Sequence, residues 1–229
     1  MTHLVETTGL HAGYGNVPVV HDLDVHLDEG EIIALLGANG AGKTTALLTI
    51  AGAIPALDGR IAIAGKSAPR GLHRRAKLGM ALVSDDRSIF RDLTTRENLR
   101  LGDGDPAEAV RLFPALEPLL GRKAGLLSGG EQQMLGLGRA LARKPKVLLA
   151  DELSLGLAPI IVKSLLVAVR TAADEGMAVI LVEQQVRLVL AVCDRGYVLQ
   201  RGRVRLSGTA AELRRGRAEI EESYLAGAG

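Results

Sequence analysis

Aromatic rings are scarce in this chain. Its 229 residues hold three tyrosines, two phenylalanines and no tryptophan. A core so short of rings must be built from Leu, Val, Ile and Ala. Single-stranded nucleic acid, read by stacking bases on aromatic platforms, would find too few platforms here. The lone cysteine, Cys193, excludes an internal disulfide. Its place in the apolar run Leu188–Cys193 predicts a buried, unreactive thiol. No apolar run exceeds six residues, far below the roughly 20 of a membrane-spanning helix. The first residues, MTHLVETTGL, have neither a basic start nor an apolar stretch, so no secretory leader is expected. An excess of one charge is missing too: 28 Lys and Arg against 26 Asp and Glu leave +2, too balanced to argue for nucleic acid. A soluble, cytoplasmic protein without a nucleic-acid partner is expected. Residues 60–84 depart from the balance, with Arg60, Lys66, Arg70, Arg74, Arg75 and Lys77 and no acid among them. They read as a solvated basic face or as a site for an anionic partner.

Glycine is abundant, at 28 residues, and the rest of the pattern is α/β. The length suits one domain, or one with an insertion. Val19–Leu27 contains an alternating stretch, and Glu31–Leu36 is a continuous apolar run that reads as a buried strand. A helix is expected from Lys43 to about Ala53, then short strands near Arg60–Ala64 and Leu78–Val83. Strand signals vanish from Asp85 to Arg143, where Pro106–Phe113 and Gly130–Arg143 read as helices. They return at Val147–Ala150, Ala178–Val182, Tyr197–Leu199 and Val204–Leu206, the last two joined by a hairpin turn at Gln200–Arg203. Helices are expected near Pro159–Asp174, Val186–Val192 and Ala210–Arg215. This alternation predicts a mostly parallel sheet with an antiparallel edge. Residues 1–84 and 146–229 would form one α/β core, and 85–145 an inserted helical subdomain. A ligand site is expected at the carboxyl ends of the strands.

The strongest motif is Gly37-Ala38-Asn39-Gly40-Ala41-Gly42-Lys43-Thr44, followed by Thr45. It sits directly between an apolar strand and a helix, the context that a phosphate-binding loop requires. Glycines let the backbone fold around phosphate oxygens, and the helix N-terminus adds partial positive charge. Lys43 would reach the β- and γ-phosphates, and the Thr44 hydroxyl would bind Mg2+. A second element, Val147–Ala150 running into Asp151-Glu152, exposes two carboxylates at a strand tip. Asp151 would hold magnesium and Glu152 would polarise the attacking water. Together the two elements point to ATP hydrolysis. A third, Leu127-Ser128-Gly129-Gly130-Glu131-Gln132-Gln133, is another anion cradle at a helix start.

Two phosphate cradles with one full loop resemble the ATP-binding subunits of ABC transporters, whose signature reads LSGGQ or LSGGEQQ. The resemblance spans nearly the whole chain. It implies a P-loop NTPase fold, ATP and Mg2+ as ligands, and a head-to-tail dimer. Ser128, Gly129, Gly130 and Glu131 of one subunit would close over the γ-phosphate held by Lys43 of the other. It implies that Tyr14, in a glycine-flanked loop, stacks on adenine, and that Ser154–Pro159 crosses the dimer interface. The implied ATP-contacting set is Tyr14, Gly37, Ala38, Asn39, Gly40, Ala41, Gly42, Lys43, Thr44 and Thr45. The implied metal set is Thr44, Asp85 and Asp151, and Glu152 and Gln184 form the catalytic pair.

Three positions depart from the family pattern. Asp85 stands where most relatives have glutamine, Leu153 replaces a proline, and Gln184 replaces the γ-phosphate-sensing histidine. A glutamine hydrogen-bonds phosphate or water but takes up no proton near neutral pH. SLGLAP, LSGGEQQML and VEQ together look like the shorter ATPase subunit of branched-chain amino-acid uptake systems, as does Ser88–Leu99. Urea and short-chain amide importers use similar subunits. The resemblance implies a homodimer, or a heterodimer with a sister ATPase subunit. It also implies two membrane permease subunits, docked through the helical insertion with Phe90 as a contact. An extracytoplasmic substrate-binding protein would act indirectly. The protein would then be cytoplasmic and peripheral on the inner face of the cell membrane, held there through the permease subunits. An alternative is a low-turnover nucleotide switch, suggested by Asp85 and Gln184.

Overall fold

Two sheets organise the computed structural model, which describes residues 2–84, 86, 88–101, 103–216 and 220. The first is antiparallel. It contains β1 (Val5–Tyr14), β2 (Val17–Leu27), β4 (Ala56–Ile63) and β5 (Lys66–Ser67), in the order β2-β1-β4-β5. The second has β3 (Ile32–Leu36), β6 (Met80–Val83), β7 (Val147–Asp151), β8 (Ala178–Glu183), β9 (Arg195–Gln200) and β10 (Arg203–Thr209), in the order β10-β9-β3-β8-β7-β6. All its neighbours run parallel except β9 and β10. The antiparallel element is therefore larger than an edge: the strand expected at Arg60–Ala64 belongs to a separate four-stranded sheet.

The central strands are buried on both faces, as their unbroken apolar runs require. Successive side chains of a strand point to opposite faces, so each strand feeds two cores. Ile33, Leu35, Leu149, Ile180 and Val182 pack with α1 (Lys43–Ala51) and with Leu10, Val20 and Leu23 of the antiparallel sheet. Ala34, Leu36, Leu148, Ala150 and Leu181 pack on the other side with α6 (Pro159–Asp174). That second core continues without a break into the segment between β6 and β7, through Leu99, Phe113, Leu116, Leu127 and Leu135. This segment carries α3 (Thr95–Arg100), α4 (Pro106–Leu112), two short 3-10 turns and α5 (Gly129–Leu141). Its described residues form no strand, apart from an isolated bridge between Thr94 and Lys123. The remaining helices are α2 (Leu72–Ala76), α7 (Val186–Val189) and α8 (Ala210–Arg215).

Arg195 ties the two sheets together. Its guanidinium donates to both carboxylate oxygens of Glu31, to the carbonyl of His26 and to the Tyr197 hydroxyl. Among the basic residues of the 60–84 run, Arg75 is buried, donating to the carbonyls of Thr49 and Ile50 at the end of α1 and to that of Pro69. It satisfies helix-end acceptors that would otherwise be orphaned. Cys193 is buried, and desolvation pushes its thiol up to about 12. Among the described residues, no helix is long and apolar enough to cross a membrane.

Candidate functional site

Strand pairing assembles the site. β3 lies beside β8, with Leu36 opposite Glu183, and β8 lies beside β7, with Val182 opposite Asp151. The chain segments leaving these three strands therefore emerge side by side at the carboxyl edge of the sheet. They are the loop 37–44, the pair Asp151-Glu152 and the run Glu183-Gln184-Gln185.

The loop is shaped by backbone conformations and by crowding. Gly37 and Gly42 sit at φ 151° and 99°. A Cβ at Gly37 would stand 2.4 Å from the Leu199 carbonyl oxygen, and one at Gly42 would stand 2.9 Å from Cγ2 of Val20. Only a residue without a side chain fits either place. Gly42 caps α1 without a side-chain hydrogen bond, and the first turn of α1 carries no acid, so the free amides of the first turn can serve an anion. The Lys43 ammonium is buried and donates to the carbonyls of Gly37 (2.8 Å) and Ala38 (3.0 Å). Burial holds its pKa below the usual lysine value, while Glu152, Asp151 and Glu183 act in the opposite direction. Asn39, Gly40 and Thr44 are exposed, whereas Ala41 and Thr45 are buried.

The loop is also braced from outside. The β9–β10 turn places both Arg201 and Gly202 at positive φ, 48° and 76°, a two-residue hairpin conformation. The Gly202 amide donates to the Ala41 carbonyl, and its own carbonyl accepts from the His21 amide. A Cβ at Gly202 would lie 2.0 Å from the Val19 carbonyl oxygen. The phosphate loop, β2 and the hairpin thus meet at one point. Tyr14, 54% exposed, stands on the same β1–β2 hairpin. It is the last residue of β1 rather than a loop residue, so the expected glycine-flanked loop is in fact a strand end. Gly13 is close-packed there, a Cβ lying 1.9 Å from the Val17 carbonyl oxygen.

The acidic half is held by side chains. Asp151 is 5% exposed at the tip of β7. Glu152 follows at φ 48°, a left-handed conformation that is uncommon for glutamate. Its amide donates to the Val182 carbonyl, and its Oε1 accepts from Nε2 of Gln184 at 2.6 Å. Gln184 thus reaches the neighbouring acid directly. Leu153 turns inward to 1% exposure and joins the core under α6. The Thr44 hydroxyl and the Asp151 carboxylate are hard oxygen donors on neighbouring elements, a set that fits magnesium. Among the described residues no cluster of three or more His, Cys, Asp or Glu forms a metal site. Asp85 lies outside the described residues.

The signature residues open α5. Ser128 caps α5: its Oγ accepts from the Glu131 amide, and Glu131 Oε2 accepts from the Ser128 amide at 2.7 Å. These hydrogen bonds hold the Glu131 carboxyl below its ordinary pKa, the Ser128 amide contributing most. Gly130 lets α6 approach, since a Cβ would meet Ile161 at 3.1 Å. The Ser128 carbonyl accepts from the Gln132 amide, which continues the helix.

Phe90 is 55% exposed and held through its backbone, its amide donating to Asn98 Oδ1 and its carbonyl accepting from Asn98 Nδ2. The Arg139 guanidinium lies over its ring at 5.6 Å. Both border a groove of about 340 Å³ with Leu72, Met80, Val83 and Leu101.

Glu183, to which the sequence motifs assign no role, completes the acidic side of the site. It is 3% exposed, with Oε1 accepting from the Ser154 amide (3.0 Å) and Oε2 from the Ser154 hydroxyl (2.6 Å). Gln185 Nε2 donates to the same hydroxyl. Burial pushes the Glu183 carboxyl up, against the opposing pull of the Ser154 hydrogen bonds. A glutamate closing an otherwise apolar strand was the available signal.

Residues 20–154 match the family described as "ABC transporter". The chain is 41% identical over 226 residues to a high-affinity branched-chain amino acid transport ATP-binding protein of Pseudomonas aeruginosa, covering 93% of this chain and 96% of that protein. It is 35% identical to a probable branched-chain amino acid transport ATP-binding protein of Archaeoglobus fulgidus, covering 92% and 94%. It is also 35% identical to a lipopolysaccharide export system ATP-binding protein of Escherichia coli, covering 89% and 90%. Among solved structures, the ADP conformation of an ATP-binding cassette superposes with a TM-score of 0.88 at 22% identity, covering 98% of this chain and 99% of the other. At that identity the likeness concerns the fold alone.

Proposed function

The chain belongs to the ABC transporter family, and on that premise we propose that it is the ATP-binding and ATP-hydrolysing subunit of an importer for branched-chain amino acids. The observation that carries this reading is the convergence of loop 37–44, Asp151, Glu152 and Gln184 at neighbouring strand ends. The 41% identity to a branched-chain amino acid transport subunit supports the substrate class.

In the proposed reaction Tyr14 stacks on adenine. Loop amides among residues 38–44, other than that of Ala41, which donates to the Ala38 carbonyl, hold the phosphates together with the Lys43 ammonium, with Thr45 behind them. Thr44 and Asp151, with Asp85 added from the sequence, would hold magnesium, which when bound offsets phosphate charge. Gln184 occupies Oε1 of Glu152 and so leaves Oε2 to accept a hydrogen bond from water. The water oxygen forms a bond to the γ-phosphorus, the bond to the bridging oxygen of ADP breaks, and the water proton passes to Glu152. Ser128, Gly129, Gly130 and Glu131 of a second subunit cover the nucleotide from the opposite side, in a homodimer or with a sister ATPase subunit. The helical stretch 85–145 acts as the inserted subdomain, and the groove beside Phe90 receives a permease subunit. Two permeases then hold the protein on the inner face of the membrane, with a substrate-binding protein acting from outside.

The Gln184–Glu152 hydrogen bond also favours a second reading, a slow nucleotide switch, because Gln184 takes up no proton near neutral pH. One experiment separates the two. Purified protein, alone and with copurified permeases, is assayed for Mg-dependent ATP turnover and for stimulation by binding protein loaded with leucine. Stimulated turnover is expected. Tight ATP binding with no turnover in either state would overturn the transport reading in favour of the switch, and stimulation by urea-loaded but not leucine-loaded binding protein would reassign the substrate.

A further inference from the structure

We propose that Glu183 is the positioning residue of the active site: its carboxylate grips Ser154 and thereby fixes the loop on which Glu152 stands. The inference rests on the ATPase reading and deepens it.

Five hydrogen bonds stitch the two strand exits together, and they alternate. On the β7 side, residue 152 is held by Val182 and Gln184, and residue 154 by Glu183 and Gln185. Glu152 is the catalytic candidate, and its left-handed conformation is one that a non-glycine residue keeps only when its surroundings fix it from several sides. The amide of Glu152 supplies one fixing point. The next lies two residues on, where both carboxylate oxygens of Glu183 engage both donors of Ser154. Leu157 then turns back, its amide donating to the Ser154 carbonyl. Removing the carboxylate leaves the Ser154 amide without its acceptor in a buried place, and the loop must move to satisfy it.

A buried carboxylate is costly compared with an apolar side chain at the end of a strand. Packing alone does not account for it here, because all its described hydrogen bonds to the neighbouring loop go to Ser154. Glu183 acts on Lys43 only through its charge, less than Glu152 and Asp151 do, and its side chain hydrogen-bonds to Ser154, so its loss is expected to fall on turnover far more than on nucleotide binding.

The test uses the full chain with Glu183→Ala and Glu183→Gln. Glutamine keeps the size, accepts from the Ser154 amide through Oε1, and donates to its hydroxyl through Nε2. For Glu183→Ala, kcat is expected to fall by more than about tenfold with the affinity for ADP within about threefold, as a misplaced group costs turnover rather than binding. Glu183→Gln is expected to recover most of kcat. Amide hydrogen exchange at Ser154, Leu155 and Leu157 should quicken in the alanine variant while exchange in α1 stays unchanged. A smaller fall in kcat, a parallel loss of ADP affinity, or no rescue by glutamine would each overturn the proposal. If Glu183→Ala fails to fold, Ser154→Ala serves instead, and unchanged kcat with unchanged exchange there would overturn it. If the wild type shows no turnover, the ATPase reading fails, and the exchange arm alone judges whether Glu183 braces the loop.

Discussion

The two halves of the site are made of different materials. The phosphate half is backbone: three elements crowd against glycines 37, 42 and 202, and Lys43 is the side chain that reaches into it. The acidic half is a lattice of side chains in which Glu152, Ser154, Glu183, Gln184 and Gln185 hold one another. Backbone cradles fail when volume is added, and side-chain lattices fail when a donor or acceptor is exchanged. The difference teaches that binding and turnover are separable by mutation, and by different kinds of mutation.

The largest effect is expected on the acidic side. Glu152→Gln keeps the shape and removes the proton acceptor, so turnover should drop by about 10²–10⁴-fold with ATP affinity retained. Equal losses in both would erase the distinction between the halves. Next is the phosphate side, where Gly37→Ala pushes a methyl group against the Leu199 carbonyl. Nucleotide affinity measured by calorimetry should fall by about tenfold or more, and a loss of kcat at saturating ATP with unchanged affinity would contradict the division. Tyr14→Ala removes a base-stacking surface on an exposed strand end. A stack is worth about 1–3 kcal/mol, so the ATP concentration at half-maximal rate should rise by roughly tenfold and kcat should hold.

The smallest effect concerns the helix caps. The Glu131 carboxyl is held below its ordinary value of 4.5, chiefly by the Ser128 amide. A carboxylate with a lowered folded pKa contributes stability that is complete above the unfolded value and lost as pH falls through the folded one. Wild type should therefore lose a small stability advantage over Glu131→Gln on acidification below about pH 4.5, seen in paired thermal melts. An advantage that grew with acid would show that the carboxyl is not stabilised as the anion.

Much of the parallel sheet was legible because its strands are unbroken apolar runs next to sharp punctuation: Gly30 before β3, the glycine loop after it, and the acids after β7. Pro159–Asp174 and Ala210–Arg215 are helices over the expected spans. The strand β1 was not legible. Its register shifts between Thr7 and Leu10 and again before Gly13, which scrambles the alternation, and the buried Thr7 faces inward because its hydroxyl donates to the Leu23 carbonyl. Missing β1 hid the second sheet and left Tyr14 in a loop. Glu183 escaped notice for another reason. A buried carboxylate makes sense only beside its partner, and Ser154 is a neighbour by strand pairing, which no local pattern encodes. Lys43, Asp151 and Glu152 were readable because their meaning lies in the residues next to them.

The small hairpin at Arg201-Gly202 sets a limit on rebuilding this chain. Its amide and carbonyl face the phosphate loop on one side and β2 on the other, so its length is fixed by what it touches as well as by the register of the hairpin. Lengthening it by a tag, a loop graft or new chain termini should sacrifice nucleotide binding even though no residue of the phosphate loop has changed. The turn at Gly15-Asn16, both of whose residues are exposed, is no safer, since Tyr14 adjoins it. Insertions have better prospects at the exposed β4–β5 turn, at Ala64-Gly65, where the Ala64 amide hydrogen bond goes to Leu4 beside β1 and not to the phosphate loop.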